Sequence, residues 1–145
     1  MIIRPVKLDD FSAWLSLWEG YNSFYKRSIP EEVTIKTWKR FLDPHETVHA
    51  LVAEVDGRLV GFTAYLFHRH TALLNDVCYL QDLYTEEKFR GKSIGKSLIL
   101  AVSEQAKENG STQVYWMTHE SNEAARVLYD KVAKHTGFIV YSKRT

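Results

Sequence analysis

Two apolar runs, Val48-His49-Ala50-Leu51-Val52-Ala53-Glu54-Val55 and Leu59-Val60-Gly61-Phe62-Thr63-Ala64-Tyr65-Leu66-Phe67, meet at Asp56-Gly57. An Asp-Gly pair between strand-like runs specifies a two-residue turn, because the turn that suits twisted strands needs positive φ at both central residues. The two runs are therefore predicted to form an antiparallel hairpin, and the rest of the chain has to be arranged around it.

Ahead of the hairpin, Ile2 to Val6 reads as a short strand. Asp9 or Asp10 can cap a helix whose apolar residues Trp14, Leu17, Trp18 and Tyr21 recur at helical spacing, a stripe read as core. Pro30, Glu31 and Glu32 form an acidic first turn for a second helix, with Ile35, Trp38 and Phe41 or Leu42 on one face and Pro44 beyond its end. After the hairpin, Leu73 to Thr85 reads as a further strand, mostly apolar but carrying Asp76, Gln81 and Asp82. Polar groups in a buried strand have to be accounted for. Ile94, Leu98, Ala101, Val102 and Ala106 define a helix over 91–109, stopped at Asn109-Gly110. A strand over Gln113 to Thr118 follows, then a helix capped by Asn122 with Ala125, Leu128, Tyr129 and Val132 inward, and a closing strand over Gly137 to Ser142. The order is mixed α and β, without repeats or low-complexity linkers.

Two short motifs mislead. His45-Glu46-Thr47-Val48-His49 matches the His-Glu-x-x-His zinc pattern, which works only on a helix that puts both imidazoles on one face. These residues run into the first arm of the hairpin, and on a strand the two histidines stand too far apart to share a metal. Arg90-Gly91-Lys92-Ser93-Ile94-Gly95-Lys96-Ser97 looks like a nucleotide-binding P-loop, but neither Gly-Lys-Ser has the required glycine five residues earlier: Glu86 and Arg90 occupy those positions. No aspartate for a magnesium ion follows on Val114 to Thr118. Neither a metal site nor a nucleotide hydrolase is expected.

The loop still lies between a strand and an amphipathic helix, where free N–H groups and the helix dipole favour an anion. Gly91 and Gly95 allow close approach, and Arg90, Lys92 and Lys96 add positive charge. At this point the chain resembles the GNAT superfamily of acetyl-CoA-dependent N-acetyltransferases. Arg90-Gly91-Lys92-Ser93-Ile94-Gly95 is similar to its Arg/Gln-x-x-Gly-x-Gly/Ala signature, with Ser93 in place of the first signature glycine. Leu80-Gln81-Asp82-Leu83-Tyr84-Thr85 resembles its signature strand, Asn122-x-x-Ala125-x-x-Leu128-Tyr129 its later asparagine and tyrosine motif, and Gly137-Phe138 its closing pair. Val114 to Asn122 and Val132 to Tyr141 look like the branch related to yeast histone, polyamine and D-amino-acid acetyltransferases.

The resemblance implies one N-acetyltransferase domain over 1–145, with an α/β (α+β) fold built on a mixed, mostly antiparallel sheet flanked by helices. It also implies acetyl transfer from acetyl-CoA to a primary amine, expected to be a small one such as a polyamine, diamine or amino acid. Residues 90–96, including Ile94, would hold the coenzyme A pyrophosphate without a metal. Backbone N–H groups near Leu83, Tyr84 and Thr85 would face the thioester oxygen, Asn122 and Ala125 would contact the cofactor, and Tyr129 would be the general acid. The rival readings are a non-catalytic acyl-CoA-binding module and an acetyltransferase acting on protein lysines or N-termini.

The chemistry needs a base, since holding a lysine-like amine neutral at pH 7 costs roughly 4.6 kcal/mol. Asp82, Glu120 and His119 are the candidates, directly or through water. Gln81 stands where the family often has a glutamate, and it cannot accept the proton. Asp76 and Asp82 are expected to draw a cationic acceptor towards the active strand.

At 145 residues, 45% hydrophobic and with a net charge of +1, the composition is that of a globular chain with no bulk charge for nucleic acid. No run is long enough to cross a bilayer, and the start lacks the apolar core of a signal peptide, so a cytoplasmic protein without membrane partners is expected. Cys78, the only cysteine, has apolar neighbours and reads as a buried thiol. Family members often pair, which makes a homodimer a further expectation.

Overall fold

The hairpin forms as its sequence requires. In the computed structural model, which describes residues 1–145, β1 (Ile2–Pro5), α1 (Phe11–Phe24) and α2 (Glu31–Leu42) precede β2 (Val48–Val55) and β3 (Arg58–His68). Asp56 and Gly57 turn between the two strands with φ of 49° and 76°, the left-handed pair expected of a two-residue hairpin loop. The chain continues through β4 (Val77–Thr85), α3 (Ile94–Glu108), β5 (Val114–Tyr115) and α4 (Glu123–Val132). The strands lie in sequence order in one sheet. The first four are antiparallel, and β5 joins β4 in parallel over only two pairs, Cys78 with Val114 and Tyr79 with Tyr115.

The sheet separates two cores of different character. On one face α1 and α2 bury an aromatic cluster of Trp14, Trp18, Tyr21, Trp38 and Phe62, closed by Val52 and Leu59. A hydrogen bond from Trp18 Nε1 to Thr34 Oγ1, 2.9 Å, ties the two helices together. On the other face α3 packs Ile94, Leu98, Ile99, Val102 and Ala106 against Leu51, Val60, Cys78 and Leu80. Burial pushes the Cys78 thiol up to about 12, so it behaves as the inert core residue its neighbours imply. No helix is long and apolar enough to cross a membrane.

Several expectations need correction. The strand placed over Leu73 to Thr85 begins only at Val77, because residues 71–75 turn at the surface and leave Leu74 fully exposed. The strand placed over Gln113 to Thr118 shrinks to Val114–Tyr115, the length over which β4 offers it a partner. The closing strand over Gly137 to Ser142 does not pair with this sheet at all. Neither the expected aspartate cap nor the expected asparagine cap operates. Asp10 Oδ2 accepts from the Lys7 N–H and from Arg4, both at 2.7 Å, instead of capping α1. Asn122 donates from Nδ2 to Thr118 Oγ1, 3.2 Å, instead of capping α4.

Candidate functional site

The site grows from one irregularity in β4. Ala64 pairs with Asp82 and Tyr65 with Leu80, so Gln81 is an extra residue, a β-bulge. A bulge shifts the alternation of side chains by one position. Before it, Cys78 and Leu80 face α3; after it, Asp82 and Tyr84 face α1. The bulged Gln81 is exposed and Asp82 is buried. The backbone follows the same shift. Glu86 N–H donates to Val60 O, 2.8 Å, so by antiparallel alternation Tyr84 also hydrogen-bonds towards β3 while Leu83 and Thr85 turn their N–H groups the other way. That other side is the one β5 occupies only as far as Tyr79. On that side the second half of β4 has no strand partner, which leaves an opening, a candidate cleft, onto which the N–H groups of Leu83 and Thr85 face.

Asp82 receives the Tyr21 hydroxyl proton through a 2.7 Å hydrogen bond at Oδ1, and its backbone carbonyl accepts from Thr63 Oγ1 at 2.8 Å. Burial raises the Asp82 carboxyl above its ordinary range, partly opposed by the Tyr21 hydrogen bond and the charge of Arg27. The same burial, reinforced by Asp82, pushes the Tyr21 hydroxyl far above the usual tyrosine range. Arg27 lies over the rings of Tyr21 and Tyr25, 5.2 and 5.3 Å from their centroids, and Nη2 donates to Asn22 Oδ1 at 2.9 Å. A buried carboxyl and an exposed guanidinium thus flank the aromatic end of α1. Asp76 does not join them; it is held by Arg69 at 3.0 Å, ahead of the start of β4.

Beyond β4 the loop has an unusual backbone. Gly91 and Ser93 both take left-handed conformations, φ of 75° and 62°, and α3 starts at Ile94, three residues later than its sequence pattern suggests. The first hydrogen bond at this end is Ser97 N–H to Ser93 O, 2.9 Å; the N–H groups of Gly91, Lys92, Ser93, Ile94, Gly95 and Lys96 donate to nothing in the protein. Six consecutive free amides at the positive end of a helix are an arrangement that favours an anion. Arg90 Nε donates to Thr85 O, 3.0 Å, and its guanidinium lies over Phe24 and Tyr84, while Lys92 lies over Phe89. Gly95 serves packing as well, since a Cβ there would stand 3.3 Å from Leu128 Cδ2 of α4.

Across the cleft, α4 presents a half-buried face of Ala125, Leu128, Tyr129 and Val132. Tyr129 packs edge-on against Trp116, centroids 5.4 Å apart, and its hydroxyl has no hydrogen-bond partner in the protein. Burial, with a smaller contribution from Tyr25, pushes that hydroxyl up to about 12. Tyr25 in turn stacks edge-on with Tyr21 at 5.0 Å. His119 and Glu120 stand apart in the exposed turn before α4. His119 Nδ1 engages Ser121, and the Glu120 carbonyl accepts from Arg126. Neither is hydrogen-bonded to Asp82, Tyr21 or Tyr129.

Sequence patterns do not mark Tyr21, Tyr25 and Arg27 as site residues. Tyr21 belongs to the core stripe of α1, and its spacing of four from Tyr25, followed by Arg27, is the only local sign that the end of that stripe does more than pack. His45 and His49 have no shared role: His45 precedes β2, and His49 lies within it against Tyr65 and Phe67.

Comparison with known proteins bears on the family and the fold. Residues 13–133 match the model of the acetyltransferase (GNAT) family. The chain is 35% identical over 145 residues to the D-amino-acid N-acetyltransferase HPA3 of Saccharomyces cerevisiae, covering 99% of this chain and 90% of that one. It is 30% identical over 143 residues to an uncharacterized N-acetyltransferase of Bacillus subtilis, YhfO, covering 97% and 95% of the two chains. Among solved structures, an aminoglycoside N-acetyltransferase in complex with CoA superposes with a TM-score of 0.85 at 16% identity, over 99% of this chain and 93% of that one.

Proposed function

The chain belongs to the GNAT family of acetyltransferases, and on that premise we propose that residues 1–145 form one N-acetyltransferase domain that moves an acetyl group from acetyl-CoA to the amine of a small amino acid. The observation that carries the proposal is the open half of β4 running into the six free amides of residues 91–96. Those amides, with Lys92 and Lys96, fit a pyrophosphate, and no magnesium is called for because backbone donors and lysines meet the charge. Acetyl-CoA, when bound along this cleft, supplies the thioester whose acetyl carbon forms the new bond to nitrogen.

The protein's own groups do the remaining work. The Leu83 and Thr85 N–H groups face the cleft, where preorganised donors stabilise charge developing on a carbonyl oxygen. Asp82 takes the proton of the incoming ammonium, directly or through water. Its raised pKa makes it a better base than an exposed aspartate, and the Tyr21 hydrogen bond holds it in place. His119 and Glu120, exposed and engaged locally, are not assigned a part in the reaction. Tyr129 keeps its proton throughout the neutral range, and its O–H has no partner within the protein. Full transfer to a thiolate of reference pKa about 8.5 is uphill by several units, so Tyr129 acts chiefly by hydrogen-bonding to charge developing on the departing sulfur.

The opposite charges of Asp82 and Arg27 support an amino acid as acceptor. A zwitterion offers an ammonium to the carboxylate and a carboxylate to the guanidinium, whereas a polyamine meets Arg27 with like charge. The D-amino-acid specificity named for the yeast relative is in keeping with this reading. The test is thiol release from acetyl-CoA over a panel of D- and L-amino acids, their carboxamides and polyamines. Amino acids should turn over with higher kcat/KM than their carboxamides; preference for polyamines or lysine peptides would contradict the assignment.

A further inference from the structure

The α1 face of the sheet carries side chains that neither core uses. Leu66, Tyr79 and Tyr115 are half-buried and belong to neither packed cluster. Tyr79 is the register partner of Leu66 on β3 and of Tyr115 on β5, so they share one face. The Gln81 bulge puts Asp82 on that same face. Asp82 is near enough for its charge to add to the upward push that burial and Tyr115 give the Tyr79 hydroxyl.

Tyr79 and Tyr115 form a ledge, with ring centroids 4.9 Å apart and planes inclined by 36°. His68 fixes the Tyr115 end of it. The His68 Nδ1 lies 2.9 Å from the Arg69 carbonyl oxygen, and its Nε2 lies 2.7 Å from the Tyr115 hydroxyl. A carbonyl oxygen can only accept, so in the neutral ring Nδ1 carries the hydrogen and Nε2 accepts the phenol proton. The His68 ring also meets Tyr115 edge-on, at 5.7 Å and 87°. A hydrogen bond and a ring contact thus hold a side chain that neither core packs.

Asp82 lies between this ledge and the end of α1. Tyr21, which donates to Asp82 and has Arg27 over its ring, packs against Tyr84 at 6.2 Å, further along β4. Tyr79 precedes Asp82 on the same strand. An α-amino acid with its ammonium at Asp82 and its carboxylate towards Arg27 is left with its side chain on the Tyr79 side. On the reading of the acceptor as an amino acid, we infer that Tyr79 and Tyr115 are specificity-determining residues that take the acceptor's side chain, that aromatic amino acids are the preferred acceptors, and that His68 is the positioning residue for Tyr115. Two tilted rings beside a leucine favour an aromatic ring over an aliphatic chain, through stacked and edge-on contacts.

Thiol release at saturating acetyl-CoA, over amino acids of either hand, tests the ledge. The wild type should turn over phenylalanine, tyrosine and tryptophan with kcat/KM about tenfold above alanine and leucine of the same hand, through a lower KM. Tyr79→Ala and Tyr115→Ala should each lower the phenylalanine-to-alanine ratio about fivefold or more, again through KM. Tyr115→Phe keeps the ring and gives up the bond to His68, so it should lose less, and His68→Phe, which removes the same bond from the other side, should match it. Circular dichroism and acetyl-CoA affinity establish that each variant is folded, and the wild-type ranking stands without any of them. A wild type with no aromatic preference, a ratio unmoved by both alanine variants, or an equal loss in Tyr115→Phe and Tyr115→Ala would overturn the ledge; a wild-type ratio in His68→Phe would overturn the part given to His68. If amino acids are told from their carboxamides but aromatic ones are not told from aliphatic ones, the ledge alone fails. If polyamines or lysine peptides are preferred to every amino acid, the amino-acid reading fails with it.

Discussion

Tyr21 donates its hydroxyl proton to Asp82 over 2.7 Å, joining α1 to β4 across 61 positions of sequence. The bond exists because the Gln81 bulge turns Asp82 to the α1 face. It gives a buried carboxylate a single neutral donor within the protein, with the charge of Arg27 as further support.

Asp82→Asn should therefore lower turnover by about a hundredfold or more, the usual contribution of a general base, without unfolding the protein. The pH dependence has a definite sign. A carboxyl whose folded pKa is raised binds its proton more tightly in the folded state, so folding is favoured in acid. That advantage fades as the pH rises from the unfolded value of about 3.9 through the folded one. The asparagine variant has no proton to lose and escapes this effect. Denaturant unfolding from pH 3 to 8 should show the variant gaining stability relative to wild type with rising pH, and a constant difference would mean that Asp82 is not perturbed.

Ser93 has a left-handed backbone, φ of 62°, and its hydroxyl makes no capping bond. A non-glycine residue there costs about 1 kcal/mol or more relative to glycine. Ser93→Gly should raise stability by about that amount and preserve or tighten acetyl-CoA binding, as measured by thermal unfolding and calorimetric titration. A large loss of affinity would show that the hydroxyl is used.

The loop and the hairpin illustrate what local sequence can carry. Asp56-Gly57 specifies its own turn, and Gly91 and Gly95 mark a loop that leads into α3, because each depends on residues next to one another. The left-handed Ser93 is a different matter, since serine has no preference for that conformation and only the surrounding backbone imposes it. The facing of Asp82 was not legible, because a strict two-residue period puts it on the side of Leu80, and one bulged residue reverses that. Tyr21 was legible as core and not as the partner of Asp82, a contact made only when α1 packs on the sheet. Phe138 to Tyr141 has the composition of a strand, but a strand also needs a partner, and none of the five strands pairs with it.

Arg27 should matter to the acceptor and not to the cofactor. Arg27→Gln removes the charge while keeping a polar side chain over Tyr21 and Tyr25. KM for amino acids should rise about tenfold, equivalent to about 1.4 kcal/mol, with little change for their carboxamides or for acetyl-CoA. Equal effects on acids and carboxamides would remove Arg27 from carboxylate recognition.

The most direct test of acetyl transfer at this cleft is single-turnover thiol release by the wild type and Tyr129→Phe, with acetyl-CoA affinity measured in parallel. The hydroxyl has no partner in the folded protein, so its loss should leave folding and acetyl-CoA binding intact while slowing release by about a hundredfold. Acetyl-CoA binding with no release from the wild type over the whole amine panel, or release at an unchanged rate from the variant, would contradict the account.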